Sequence, residues 1–164
     1  MIKLVIALFT VLCVYGAGSV PSPYYVNHTW NDHSLEGMRE LITGFNVSYQ
    51  EGTFDCTEMT SYLDWFLKNH GFNTRICMDW SGPWLNNCHA WLGVKLEDDS
   101  VVYIESTGDP EPYIITYHDS LWDIYNLPED LSNPLGMRQY KTIYAAMGDG
   151  VTESELDWWN IIGG

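Results

Sequence analysis

Three residues of this sequence, Cys56, His89 and Glu105, have the types and positions expected of a nucleophilic catalytic triad. A thiolate is a strong nucleophile, and an imidazolium beside it both stabilises the thiolate and later protonates a leaving group. A carboxylate on the other side of the imidazole holds one tautomer of the ring and stabilises its cation. The three residues predict attack by a thiolate on a carbonyl carbon, on the condition that folding brings them together.

Cys56 is predicted to lie in the first turn of a helix. Asp55 is a good N-cap, and Glu58 completes a capping-box pattern. Gly71 suits the end of the helix. The apolar residues between them recur at the spacing of one buried helical stripe: Met59, Tyr62, Leu63, Phe66 and Leu67. The helix start favours a thiolate, but the neighbouring acids oppose it, so we expect His89 to supply a positive charge beside Cys56.

His89 and Glu105 are predicted to lie at adjoining ends of neighbouring strands. The alternation of polar and apolar residues predicts strands at Thr74–Met78, His89–Lys95 and Val101–Glu105, with a polar turn between the last two. A helix followed by an antiparallel meander indicates an α+β fold. We therefore expect a nucleophile helix packed on an antiparallel sheet of three or more strands.

The flanking regions show weaker patterns. They predict a helix over Ser34–Thr43, a further strand at Tyr113–Tyr117, a helix over Arg138–Met147 and a short last helix at Trp158 and Trp159. No linker separates these regions from the centre. We expect one domain over residues 20–164.

The first residues resemble an export signal. Met1–Lys3 carries a positive charge, Leu4–Tyr15 is apolar, and the small residues Gly16–Ser19 offer several cleavage positions. The apolar run is too short to span a bilayer, which takes about 20 residues. We expect a signal peptide over residues 1–19 and a soluble protein that is secreted or held in the cell envelope. Asn27 and Asn46 begin sequons and are candidates for N-glycosylation.

The composition is acidic and globular. Lys and Arg number 7 against 22 Asp and Glu, which gives a formal net charge of -15. Such a surface repels nucleic acid and anionic lipid headgroups. Solubility, a cationic substrate and adaptation to salt would each explain the charge, and the sequence leaves these open.

The cysteines bear on the choice of nucleophile. Loss of the signal removes Cys13 and leaves three cysteines. In an oxidising compartment this odd count implies one free thiol or an intermolecular bridge. The simplest division is a disulfide between Cys77 and Cys88 with Cys56 reduced. Cys88 beside His89 would be a second reactive site if no bridge formed. A zinc site is disfavoured because no C-x2-C spacing exists and adjacent strand residues point to opposite faces.

Four segments resemble the transglutaminase-like superfamily when taken in order. They are Thr53–Met59 (Thr-Phe-Asp-Cys-Thr-Glu-Met), Gly71–Arg75, His89–Trp91 and Tyr103–Thr107. The resemblance covers about residues 50–108, roughly a third of the chain. The sequence around Cys56, together with Asp157–Trp159, is also similar to uncharacterised secreted proteins of methanogenic archaea.

The resemblance implies a papain-like core with Cys56, His89 and Glu105 as the triad. The family usually has Asp where this chain has Glu105, and most members lack the acids that flank Cys56 here. By analogy, the backbone N–H of Cys56 and the side chain of Gln50 would stabilise the oxyanion. Trp91 would pack beside the catalytic histidine.

These features predict a transglutaminase-like cysteine peptidase or amidase that hydrolyses peptide or isopeptide bonds, with acyl transfer to an amine left open. The expected substrate is a peptide or protein, including cell-envelope polymer. We expect no cofactor, no metal, no nucleic-acid partner and no stable membrane insertion after signal cleavage. The alternative is a catalytically inactive module that keeps the fold and uses its aromatic surface for extracellular binding.

Overall fold

A computed structural model gives the structure of the protein and describes residues 20–21, 24–26, 28–43, 45, 47–79, 89–108, 112–115 and 137–162. Several predicted features lie outside these residues: the signal peptide over 1–19, the sequon residues Asn27 and Asn46, and Cys88. They remain predictions from the sequence.

Helix α2, Cys56–Asn69, is the helix on which the sheet packs, and its start has the predicted capping box. The Asp55 side chain accepts a hydrogen bond from the Thr57 N–H at 3.0 Å, and Glu58 Oε2 accepts one from the Asp55 N–H at 3.1 Å. At the other end, Gly71 adopts a φ of +86°. Glycine reaches this left-handed conformation without strain, so the chain can turn directly into the first strand.

The strands form an antiparallel sheet with the order β4-β3-β2-β1-β5. Their bounds are Asn73–Asp79 (β1), His89–Lys95 (β2), Val101–Glu105 (β3), Tyr113–Ile115 (β4) and Met137–Tyr140 (β5). The sheet and the helices make an α+β fold, as predicted. The three central strands agree with the predicted segments to within one residue at each end.

The main core lies between α2 and one face of the sheet. Met59, Leu63 and Leu67 of α2 are fully buried there. They belong to one cluster with the inward-facing residues of the central strands, namely Ile76, Met78, Ala90, Leu92, Val94 and Ile104. Burial of one such aliphatic side chain contributes about 1.5–3 kcal/mol, so this face fixes the helix on the sheet.

A second, smaller cluster covers the opposite face of the sheet. It contains Cys77, Trp91, Tyr103 and Ile115, all buried. Side chains alternate between the two faces along a strand. Residues two positions from Trp91 and Tyr103, which are His89 and Glu105, therefore start from this second face.

The flanking helices are short. Helix α1, Leu35–Thr43, matches the predicted helix. Helix α4, Trp159–Ile162, follows a 3₁₀ turn at Glu153–Glu155 that begins with a capping box at Thr152. Within the described residues, no helix has the length and apolar character needed to span a lipid bilayer.

The prediction of one helix over Arg138–Met147 is wrong. Residues Met137–Tyr140 form β5, which pairs with β1, and helix α3 begins only at Ile143 and runs to Gly148. Thr142 separates the two elements, because its side chain caps α3 by accepting from the Ala145 N–H at 3.1 Å. Tyr140 and Ile143 have a spacing that suits a helix, but the pairing with β1 takes Tyr140 into the sheet.

A buried polar network joins two other parts of the chain, at Tyr25 and Thr74, to α2. Asp64 is fully buried, and its carboxylate accepts from Thr74 Oγ1 at 2.6 Å, from Tyr25 OH at 2.8 Å and from Lys68 Nζ. Lys68 also donates to Thr74 Oγ1 at 2.8 Å. The Asp64 charge is thus compensated by an ammonium and by hydroxyl donors, which makes its burial tolerable.

We predict that Asp64→Ala lowers the free energy of unfolding by about 3–5 kcal/mol, because it leaves the mostly buried Lys68 ammonium without its counter-ion. Urea denaturation followed by circular dichroism would measure this loss. The matched control is Glu36→Ala, which breaks the exposed Arg39–Glu36 ion pair on α1 and should cost less than about 1 kcal/mol. Equal losses in the two variants would contradict the assigned role of Asp64.

Candidate active site

Cys56 occupies the first position of α2, directly after its N-cap Asp55. The residue is half-buried and is not part of a disulfide. The first N–H groups of a helix point along its axis away from the helix body, and the helix dipole adds a partial positive charge at the same end. Cys56 therefore sits where a thiolate, and the oxyanion that forms on its substrate, would be stabilised.

His89 and Glu105 meet because β2 and β3 are antiparallel neighbours. The start of β2 lies beside the end of β3, and His89 Nε2 is 2.9 Å from Glu105 Oε2. The side chain of Glu105 is buried, with 7% exposed, and that of His89 is 23% exposed. The structure thus joins the predicted base and the predicted carboxylate by a direct hydrogen bond.

Thr107 fixes the other oxygen of the Glu105 carboxylate. Glu105 Oε1 accepts from the Thr107 N–H at 3.0 Å and from Thr107 Oγ1 at 2.6 Å. This is a local turn in which a side-chain acceptor binds groups two residues further along the chain. Burial alone would raise the pKa of Glu105, but the hydrogen bonds from His89 and Thr107 and the charge of His89 lower it.

The imidazole of His89 hydrogen-bonds Cys56 as well as Glu105. Because Nε2 is used by Glu105, Nδ1 is the ring nitrogen left for the sulfur. Burial opposes the charged ring, but the hydrogen bonds to Cys56 and Glu105 and their charges outweigh it and raise the pKa of His89 to about 10. A Cys–His pair with a protonated ring is the state that nucleophilic catalysis by a thiol requires.

Two further groups border His89 on the sheet. The Trp91 indole is 1% exposed and stacks on the imidazole, with ring centroids 5.9 Å apart and planes inclined by 24°. Asp79 pairs with His89 across β1 and β2 and is buried. The indole fixes the plane of the ring, as the resemblance implied for Trp91. No local sequence pattern indicates Asp79, because its position beside His89 depends on the strand register.

The acids that flank Cys56 are arranged as a hydrogen-bonded pair. Burial and the hydrogen bond to Asp55 raise the pKa of Glu58 to about 7. Burial would raise the pKa of Asp55, but hydrogen bonds from Glu58 and Thr57 lower it. Because the pKa of Glu58 is raised, the pair gives up its last proton less readily than two separate carboxyls would. The negative charge beside Cys56 is smaller than two carboxylates would give.

The predicted oxyanion donor Gln50 lies in a tight hairpin before α2. Its backbone exchanges hydrogen bonds with Phe54, N–H to O at 2.9 Å and O to N–H at 2.8 Å. Gly52 completes the turn with a φ of +70°, and Phe54 is buried as an anchor. The Gln50 side chain is exposed near the helix start, so its oxyanion role remains a prediction.

Cys77 carries a thiol in the structure, and the disulfide with Cys88 stays a prediction. It is fully buried on the second face of the sheet, and the strand register places it opposite Trp91. Burial raises the pKa of this thiol to about 12, which makes it a poor nucleophile. Cys88 lies outside the described residues.

Sequence comparison finds an archaeal relative. An uncharacterised protein of Methanocaldococcus jannaschii is 29% identical over 126 residues, which cover 69% of this chain and 51% of the relative. The chain therefore spans about half the length of that protein. No family model matches the chain, and no solved structure matches it. The expected similarity to uncharacterised proteins of methanogenic archaea is confirmed by this relative.

We predict that His89 makes stability fall at alkaline pH. Its pKa of about 10 lies above the ordinary value of 6.5, so the native state holds the proton more tightly than the unfolded chain does. The stabilisation is fully present below pH 6.5 and is lost as the pH rises towards 10. Urea denaturation across this range should show a steeper fall for the wild type than for His89→Gln.

Stability measured at acid pH tests the role of Glu105. Its pKa is lowered from 4.5, so its stabilisation is present above that pH and is lost as the pH falls through the native value. Removal of the imidazole in His89→Gln should therefore reduce the pH dependence of the free energy of unfolding on both the acid and the alkaline side. Parallel curves for wild type and variant would show that the ring carries no extra proton in the folded protein.

Proposed function

We propose that the protein is a cysteine-dependent acyl-transfer enzyme of the transglutaminase-like type that hydrolyses peptide or isopeptide bonds. The observation that supports this most strongly is the continuous hydrogen-bonded chain from Cys56 through His89 to Glu105. The papain-like core belongs to this proposal. Its support is the packing of α2 against β1 and β2, with the sulfur at the head of the helix and the imidazole at the start of β2.

The geometry supports a thioester mechanism in two stages. In the first, the Cys56 thiolate attacks the carbonyl carbon of an amide, and the protonated His89 gives its proton to the amine nitrogen as the C–N bond breaks. This leaves an acyl group on the sulfur and a neutral imidazole. The free amine departs as the first product.

In the second stage His89 takes a proton from water, and the resulting hydroxide attacks the thioester carbon. The C–S bond breaks, a carboxylic acid leaves as the second product, and the thiolate and imidazolium are restored. An amine in place of water would give a new amide. Glu105 keeps its charge throughout and stabilises the imidazolium.

The oxyanion of each tetrahedral intermediate would form at the start of α2. The Cys56 backbone N–H is a donor at this place, and the helix dipole adds to the stabilisation. Gln50 would add a side-chain donor. Export through the segment 1–19 and action in or outside the cell envelope complete the proposal, in accord with the acidic composition.

The first test is the reactivity of Cys56. Native protein is treated with iodoacetamide at about pH 6, where an ordinary thiol with a pKa of about 8.5 is almost fully protonated. We expect rapid alkylation of Cys56, identified by mass spectrometry of its peptide, and slow alkylation of the buried Cys77. His89→Ala should slow the reaction of Cys56 to that of a model thiol while the circular dichroism spectrum is unchanged.

Slow alkylation of Cys56 in the wild type, equal to that of a model thiol, would support the inactive binding module and exclude the enzyme. The result is read on the wild type itself, so it does not depend on a substrate being known.

The second test is turnover, found with a peptide library whose products are analysed by mass. Cys56→Ala should abolish cleavage and change the free energy of unfolding by no more than about 1 kcal/mol. Glu105→Gln should slow turnover less than the loss of Cys56, because it weakens the orientation of His89 and removes no reacting atom. Full activity in Glu105→Gln would remove Glu105 from the mechanism.

A further inference from the structure

One hydrogen bond joins the nucleophile helix to the strand end that carries Glu105. Thr60 Oγ1 and Ser106 Oγ are 2.7 Å apart, and both residues are fully buried. Thr60 lies four residues after Cys56, so the two share one face of α2 and are separated by one helical turn. Ser106 directly follows Glu105. The bond therefore connects the two parts of the site that lie on either side of His89.

The segment from Glu105 to Thr107 thus makes three different contacts. Glu105 binds His89, Ser106 binds Thr60 of α2, and Thr107 binds back to the Glu105 carboxylate. Apolar packing of α2 on the sheet is not directional, and the polar contacts that Asp64 and Lys68 make with Thr74 of β1 lie further from Cys56 along the helix. A buried hydroxyl pair, by contrast, has a preferred length and angle.

We propose that Thr60 and Ser106 are positioning residues that set the separation between Cys56 and the His89–Glu105 pair. The inference rests on the proposed function, because it assigns these hydroxyls to the alignment of the same site. Without this bond, α2 keeps its apolar contacts but the sulfur is no longer held at hydrogen-bonding distance from the imidazole. Neither hydroxyl touches the substrate or the reacting atoms.

The test is the pH profile of Cys56 alkylation in Thr60→Val, which removes the hydroxyl and keeps the shape. We expect alkylation at about pH 6 to slow by about ten- to hundredfold, since displacements of about 1 Å have effects of this size in catalytic sites. The dependence of the alkylation rate on pH should become that of a model thiol. Thr60→Ser, which restores the hydroxyl, should return the profile to that of the wild type.

The matched control is Ser61→Ala. Ser61 is the next residue of α2 and is also fully buried, but its hydroxyl donates to the backbone oxygens of Glu58 at 3.0 Å and of Leu156 at 2.8 Å. It ties the helix to the C-terminal part of the chain. Thr60→Val and Ser61→Ala each remove one buried hydroxyl together with its hydrogen bonding, so both should lower the urea midpoint of unfolding. Only Thr60→Val should change the alkylation profile.

Ser106→Ala removes the same bond from the other side and should reproduce the effect of Thr60→Val. The double variant should add little, because both substitutions act on one interaction. If either single variant fails to fold, the other gives the answer. Fast alkylation in folded Thr60→Val or Ser106→Ala would overturn the inference, as would an equal slowing in Ser61→Ala. Slow alkylation in the wild type would instead overturn the proposed function.

Discussion

The site depends on a positive charge held at a mostly buried imidazole. Burial opposes a charged His89, and the ring keeps its proton because it lies between the sulfur of Cys56 and the carboxylate of Glu105. If either neighbour were absent, fewer interactions would oppose desolvation and the pKa of the ring would be lower. The positions of α2, β2 and β3 matter to this site because together they bring the three groups into hydrogen-bonding contact.

Two acidic side chains, Asp55 and Glu58, flank Cys56, and their arrangement in the fold limits how strongly they oppose a thiolate there. Asp55 and Glu58 are needed to cap α2, and their capping box is what places Cys56 at the first helical position. Two full negative charges there would work against a thiolate. Because the pKa of Glu58 is raised, the second negative charge at the helix start is reduced near neutral pH while the capping box is kept. A structural requirement and a chemical one are thus met by the same side chains.

The parts of the structure that could be predicted are those whose signals are local. The N-cap, capping box and apolar stripe of α2 lie within one stretch, and the alternation in β1 to β3 lies within each strand. The strand at Met137–Tyr140 could not be predicted in the same way, because its conformation depends on pairing with β1, which is distant in the sequence. For the same reason, the positions of Asp79, Thr60 and Ser106 in the site could not be predicted from the sequence. Their contacts follow from strand register and helix packing, which no short segment encodes; the Thr60–Ser106 bond spans 46 residues of sequence.

Helix α2 makes polar contacts with its surroundings near both of its ends, and the contacts at each end have different consequences for the site. Near its C-terminal end, Asp64 and Lys68 bind groups of β1 and of the segment before α1, away from the site. These contacts fix the helix on the sheet at its far end. A helix held only there could still pivot, and a small rotation would move its N-terminus most. The Thr60–Ser106 hydrogen bond lies one helical turn from Cys56. It therefore restricts rotation of the N-terminal end of α2, which carries the sulfur.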